Sequence, residues 1–516
     1  MSDVSEPPAT AIDATNSGEN RVRVLPGGPV RGTIRPPGSK SLTNRALMIA
    51  ALATPREDQQ SQRSSRITGA LVSEDTQVMT AALRQVGADI RVEDAGTTLV
   101  VHPLPLQPLA MGEGNSPASQ DPPLDLYIAN SGTSVRFLTA GLSAAGGNYR
   151  LHGVQRMHQR PIGDLITALK AVVDGSIKSL SPGACPPVEM HSRGWNGRQL
   201  RVAGNVSSQF LSGLMMAAPR VFSANANQSP NTSPPTSNHS ARDSNLDASS
   251  ANEDVMTIAV DGELVSLPYV EMTVAVMADF GVAVTTLELH SDGSPQPRGF
   301  SIRNTGGYRP SDYVVEPDAS AASYFWAAAA ITGGRVSVQG LARDALQGDV
   351  GFVDVLQEMG CHVENTIESG QPTITVDAQS LPSGKLRGID VDMNSISDTV
   401  QTLAVVALFA DGPTRVRGVA HNRFKETDRI GDLATELRRL GAEVEEHDDG
   451  LTIHPPAHVQ PATLQTYHDH RMAMSLSLAG LSAEGITIRD PGCTAKTYPH
   501  YWADLERLIG RAHVWA

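Results

Sequence analysis

A polar start, a helix-length run of Ala, Leu and other uncharged residues, a Gly and a short alternating strand recur along this 516-residue chain. The pattern appears at Ser134–Gly153, Ala321–Gly340, Thr399–Gly418 and Arg471–Gly492. Ser41–Ala53 and Ser208–Pro219 carry the same helix with a weaker sequel. A second unit, an amphipathic helix closed by Gly ahead of alternating residues, recurs at Val78–Val92, Phe352–Glu364 and Leu433–Glu445. Its Gly stands where a helix needs a left-handed terminator. Such repetition means one supersecondary unit used several times. Six helices nearly free of charge are apolar around most of their circumference, so they belong inside their units. The expected fold is α/β, with two pseudo-symmetric lobes of three similar units each.

Ser223–Asp254 breaks the pattern with one Leu, no aromatic residue and no Val or Ile. Such a segment cannot bury enough apolar area to offset its ordering entropy and is expected to be disordered, as are residues 1–20. Pro55–Arg66 and Met111–Pro123 are polar and read as loops. The net charge, 41 − 55 = −14, argues against a general nucleic-acid partner, because phosphate backbones select basic faces. Cys185, Cys361 and Cys493 lie far apart without a C-x-x-C, which excludes a disulfide framework and a cysteine zinc site and fits a reducing compartment. The first twenty residues hold four acids and no Lys or Arg, unlike a secretory or transit segment. No apolar run approaches the roughly 20 residues needed to span a bilayer. A soluble, cytoplasmic protein with no membrane partner is expected.

The helix starts carry the chemistry. They read Gly38-Ser39-Lys40-Ser41, Asn130-Ser131-Gly132-Thr133, Ser207-Ser208-Gln209, Glu316-Pro317-Asp318-Ala319-Ser320, Ser397-Asp398-Thr399 and His468-Asp469-His470-Arg471. For any one of them, capping explains the Ser, Thr, Asp and Asn. Capping has no use for Lys40, Arg45, Arg136, Arg429 or Arg471, because a cation at a helix N-terminus opposes the macrodipole. Cations placed there suggest an anion held between backbone amides and side chains. Ser39 stands where a P-loop requires Gly, and no G-x-G-x-x-G follows a strand, so neither nucleotide motif is present. His468 and His470 have no third ligand in view, and no metal is expected.

Asn422–Ile430 (NRFKETDRI) is the sharpest charged cluster. With P-G-S-K-S-x-T-N-R-A at Pro37–Ala46, N-S-G-T-x-x-R at Asn130–Arg136 and D-H-R-M-A-M at Asp469–Met474, it resembles the 3-phosphoshikimate 1-carboxyvinyltransferase (5-enolpyruvylshikimate-3-phosphate synthase) family. The resemblance runs from about Val24 to Leu508. It implies a two-lobed inside-out α/β barrel whose buried helices point at the interlobe cleft. One lobe would comprise residues 1–37 plus 316–516 and the other 38–315, with the insertion at 223–254. The chain would cross between lobes near Pro36–Gly38 and Val315–Ala319.

The activity implied is transfer of the carboxyvinyl group of phosphoenolpyruvate to the 5-hydroxyl of shikimate 3-phosphate, releasing phosphate, by a monomer without cofactor. Its alternatives are an enolpyruvyl transferase acting on a UDP-sugar and a non-catalytic anion-binding relative. By resemblance, Lys40, Ser41, Arg45, Ser207, Ser208, Gln209, Ser266, Tyr269, Asn422 and Lys425 contact shikimate 3-phosphate. Lys40, Asn130, Gly132, Thr133, Arg136, Arg160, Gln209, Arg429, Arg471 and Lys496 contact or shape the phosphoenolpyruvate site, Gly132 because a side chain would crowd the ligand. Asp398 is the candidate base for the 5-hydroxyl, a role compatible with capping the helix from Thr399. Glu426, with Lys496 as partner and His470 placed to tune it, is the candidate for proton transfer at the methylene carbon. Ser131 and Phe137 depart from the common family pattern beside the phosphoenolpyruvate loop. They leave open the sensitivity to glyphosate, the family's phosphoenolpyruvate-competitive inhibitor.

Overall fold

The computed structural model describes residues 21–54, 62–105, 122–205, 207–225, 255–289, 297–381 and 384–516. Residues 1–20 and all but the first three residues of 223–254 lie outside them, as do most of the two shorter polar stretches. At two edges the expectation yields to the structure. A helix, Arg220–Asn225, runs into the start of the polar segment. Ser65 and Arg66, assigned to a loop, begin a strand, Ser65–Thr68, that pairs on both sides.

Six helices form the interior: α1 (Lys40–Leu52), α2 (Gly132–Ala145), α3 (Ser208–Ala217), α4 (Ala319–Thr332), α5 (Val400–Ala407) and α6 (His470–Ser477). Every residue from Ala319 to Ile331 is buried, as is all of α5 and α6. Small uncharged side chains allow this, since no side of these helices needs water. The amphipathic helices bury one face only, Leu433, Ala434 and Leu437 in the case of Gly431–Arg439. The Gly that ends each repeat of this second unit is needed there, with φ of 104° at Gly87, 111° at Gly360 and 91° at Gly441.

Among the described residues, six four-stranded sheets surround the helices, each with one parallel and two antiparallel pairings. In four of them the parallel pair flanks one buried helix, as Leu124–Tyr127 and Gly147–His152 flank α2. In the other two the partners are exchanged. Arg31–Ile34, ahead of α1, pairs with Arg335–Gln339 after α4, while Ser65–Thr68, after α1, pairs with Asp312–Val314 ahead of α4. The two crossing segments lie against each other, Ser39 N donating to Glu316 O at 2.8 Å and Asp318 N to Pro37 O at 2.8 Å. The buried apolar residues fall into two clusters, one spanning Leu42 to Val315 and one combining Val22–Ile34 with Ala319–Leu505. The fold is thus two-lobed.

Candidate active site

The starts of the six buried helices meet in three pairs. Lys40 N donates to Asp318 Oδ2 at 3.2 Å, joining α1 to α4. Arg136 donates to Gln209 Oε1 (2.7 Å) and Ser207 Oγ (3.3 Å), and Gln209 Nε2 to Thr133 Oγ1 (3.2 Å), joining α2 to α3. Arg471 Nη2 donates to Asp398 Oδ2 at 2.7 Å, joining α6 to α5. Five of these helices are capped by the expected side chains: Ser39, Ser131, Ser207, Asp318 and Asp469. The sixth is not. Thr399 precedes α5 without a capping bond, and a 3-10 turn, Asn394–Thr399, leads into it. Asp398 does not cap, because its carboxylate is taken by Lys425 (3.4 Å), Arg429 (3.2 Å) and Arg471 (2.7 Å).

Between the helix starts lies a cavity lined by Lys40, Ser41, Ser207, Ser208, Gln209, Val265, Ser266, Tyr269, Asp398, His421 and Lys425. A second cavity is lined by Asn130, Arg156, Glu426 and Lys496 among others. Arg429 links them: Nη1 reaches Asp398 at 3.2 Å, Nη2 reaches Glu426 Oε2 at 2.8 Å, and Nε is held by Asp469 at 2.7 Å. Asp469 therefore both caps α6 and orients this guanidinium. Lys496 Nζ donates to Glu426 Oε1 (2.8 Å) and Asn130 O (3.1 Å), and Arg160 approaches the same carboxylate oxygen at 3.6 Å.

Burial opposes ionisation of both carboxyls, but the cations around them prevail. Arg471, Lys425, Arg429 and Lys40 hold Asp398 well below the usual carboxylate range. Lys496, Arg429 and Arg160 do the same for Glu426. The cations remain in excess. Arg136, its pKa pushed down to about 9 by burial and by Arg160, has no carboxylate within ion-pair distance among the described residues. Its Nε, like that of Arg160 and of Arg471, is buried without a protein partner. Burying cationic groups unsatisfied is costly unless an anion completes them.

The EPSP synthase family model, described as 3-phosphoshikimate 1-carboxyvinyltransferase, matches residues 24–242 and 240–505. The chain belongs to the EPSP synthase family. The 3-phosphoshikimate 1-carboxyvinyltransferase of Trichormus variabilis is 41% identical over 485 residues, covering 94% of this chain and 97% of its own. That of Herminiimonas arsenicoxydans is 42% identical over 484 residues, covering 93% and 95%. In fold, the chain is similar to EPSP synthase from Acinetobacter baumannii, with a TM-score of 0.69 at 23% identity over 96% of this chain and 99% of that one.

Within this EPSP synthase family member most of the expected residues come together, but a few face elsewhere. Arg45 is 1% exposed and spends its donors on Thr273, Ser212 and the carbonyls of Ser41 and Tyr269. It braces the cavity wall. Asn422 is fully buried and donates to Ser397 O at 2.9 Å. Its neighbour His421 lines the cavity, with Nε2 3.4 Å from Ser266 Oγ and Nδ1 unpartnered. The reason is the 3-10 turn Ala420–Phe424, in which successive side chains point about 120° apart, so adjacent residues face different ways. Burial, with help from Lys425, pushes the His421 ring down to about 3, so it is neutral. His470 is likewise held neutral by burial beside Lys40 and Lys496.

At Gly132 an added Cβ would collide with the Arg160 guanidinium. Ser131 and Phe137 are absorbed by the fold. Ser131 Oγ accepts from Ser134 N and donates to Ser134 Oγ at 2.7 Å, while the fully buried Phe137 ring lies under Arg45. Sequence reasoning also passed over Asp349, which accepts from Tyr269 Oη at 3.0 Å and from Ser320 Oγ, tying the Tyr269 segment to α4.

Proposed function

We propose that this chain transfers the carboxyvinyl group of phosphoenolpyruvate to the 5-hydroxyl of shikimate 3-phosphate and releases phosphate. The observation that carries this reading is the gathering of Lys40, Arg136, Arg160, Lys425, Arg429, Arg471 and Lys496 around two carboxylates at the meeting of six helix starts. The two substrates bring two phosphates and two carboxylates, which such a set of cations is suited to neutralise.

In the forward step a proton goes to the methylene carbon of phosphoenolpyruvate, the 5-oxygen bonds to its C2, and the hydroxyl proton leaves. Loss of a methyl proton with cleavage of the C2–O bond to phosphate restores the double bond. Asp398 takes the hydroxyl proton, and the Glu426–Lys496 pair handles the proton at the methylene carbon. The surrounding cations hold both carboxyls ionised, the form that can accept a proton. Arriving anions draw the cations from Asp398 and Glu426, which raises their proton affinity once substrate is present. Ser207, Ser208, Ser266 and Lys425 serve the 3-phosphate, and Arg136, Arg160, Arg429, Arg471 and Lys496 the phosphoenolpyruvate anions. Among the described residues, those of 1–37 with 316–516 form one lobe and those of 38–315 the other, a division supported by the two apolar clusters and the strand exchange.

Phosphate release with shikimate 3-phosphate against UDP-N-acetylglucosamine as acceptor, each with and without glyphosate, tests the reading. Turnover with shikimate 3-phosphate alone is the expected result. Release only with the UDP-sugar, or with neither acceptor, would overturn it.

A further inference from the structure

We propose that Arg156 is a positioning residue that holds, from across the interlobe cleft, the main chain of the segment carrying Lys425 and Glu426, so that the Glu426–Lys496 pair is assembled when the lobes meet. This rests on the proposed function and deepens it.

Arg156 lies on a 3-10 turn, Gln155–Gln159, anchored by the fully buried Met157 and followed directly by Arg160. Its Nε donates to Glu426 O at 3.0 Å and its Nη2 to Lys425 O at 3.2 Å, so one edge of the guanidinium grips two consecutive carbonyls. Nη1 donates to Gln159 Oε1 at 2.8 Å, which sets the plane of the fork. Among the described residues no carboxylate stands within ion-pair distance of Arg156, so its donors serve the backbone in place of a salt bridge. The planar five-donor fork of arginine suits this two-point grip, whereas lysine offers a point charge on a flexible stem.

The gripped segment needs an external hold. The 3-10 turn before it ends at Phe424 and the next helix starts at Gly431. Among the described residues, neither the Lys425 nor the Glu426 carbonyl accepts a main-chain hydrogen bond, and Lys425 N reaches Asn422 O only at 3.5 Å. The Glu426 side chain is meanwhile fixed at both oxygens, by Lys496 at 2.8 Å and Arg429 at 2.8 Å. Side-chain pairing without a fixed backbone would let the carboxyl drift along with its partners. Arg156 supplies the missing constraint from the lobe that also supplies Arg160.

The test compares Arg156→Ala, Arg156→Lys, Glu426→Gln and the double variant Arg156→Ala/Glu426→Gln in phosphate release, with substrate binding measured separately. Misplacing a reacting group by an ångström lowers turnover by about 10²-fold, and that loss of kcat is expected for Arg156→Ala, with KM for shikimate 3-phosphate moving far less. Arg156→Lys should fall between, and added guanidinium should restore part of the Arg156→Ala turnover. In the Glu426→Gln background the same alanine change should cost less than about twofold, because residues acting as one unit are not additive. Unchanged kcat in both Arg156 variants, or the full loss repeated in the Glu426→Gln background, would overturn the proposal. If Arg156→Ala does not fold, Arg156→Lys and its kcat-against-KM split decide the matter. A wild-type protein without turnover would overturn the proposed function and this inference together. Wild-type turnover with unaffected Arg156 variants would overturn this inference alone.

Discussion

Arg471 and Asp398 are 73 residues apart in the chain and meet at 2.7 Å, each at the start of a buried helix. A cation at a helix start is disfavoured by the dipole, and a buried carboxylate is disfavoured by desolvation. Each offsets the other's cost, and together they leave a site whose remaining cations await anions.

Asp398→Asn removes the charge that Lys425, Arg429 and Arg471 share. If the carboxylate takes the 5-hydroxyl proton, kcat should fall by about 10²- to 10⁴-fold while both substrates still bind. Single-turnover phosphate release beside equilibrium binding checks this. Near-normal turnover would remove the role.

His421 is neutral across the working range because burial holds its ring down to about 3. His421→Ala should raise KM for shikimate 3-phosphate by about tenfold, the value of one hydrogen bond to a charged group, with a smaller change in kcat. The pH profile between 6 and 8 should keep its shape. A profile that flattened in the variant would show that the ring titrates in that range.

Gly132→Ala places a methyl where Arg160 now lies, 2.3 Å from Nη2. The displaced guanidinium loses its 3.6 Å approach to Glu426, and KM for phosphoenolpyruvate should rise by about tenfold or more. Steady-state kinetics with each substrate varied would check this. Equal KM values for phosphoenolpyruvate would mean that Arg160 has room to spare.

The Asp349 carboxyl is pushed up to about 6 by burial and by the Asp398 charge. Its unfolded value is about 4, so between the two the folded state holds more protons and stability falls as pH rises. Asp349→Asn removes this dependence while keeping an acceptor for Tyr269 and Ser320. The stability of the variant relative to wild type should therefore climb from pH 4 to 6 and level off above. Thermal unfolding of both proteins across pH 4 to 8 measures it, and a constant difference would contradict the assignment.

The interior helices were legible because burial on all sides leaves a mark in composition: Ala319–Ile331 has no charged residue. The cations were legible because their position defies the dipole. The division of labour among neighbours was not. Whether His421 or Asn422 faces the cavity depends on the phase of one short 3-10 turn. The role of Asp398 depends on three partners drawn from 27 to 73 residues away. Asp349 and Arg156 act through tertiary contacts that leave no local periodicity.

The pairing of Arg21–Arg23 with Ile486–Arg489 on one side and Val514–Trp515 on the other also sets an order of events during synthesis. Early residues wait for late ones, because Val22 has no sheet partners until Ile488 and Trp515 have been made. The segment from Leu42 to Val315 meets no such delay and can fold on the ribosome as it emerges. One half of the cleft can then form before the residues of the other are complete, and the second half closes this sheet only after Trp515 is made.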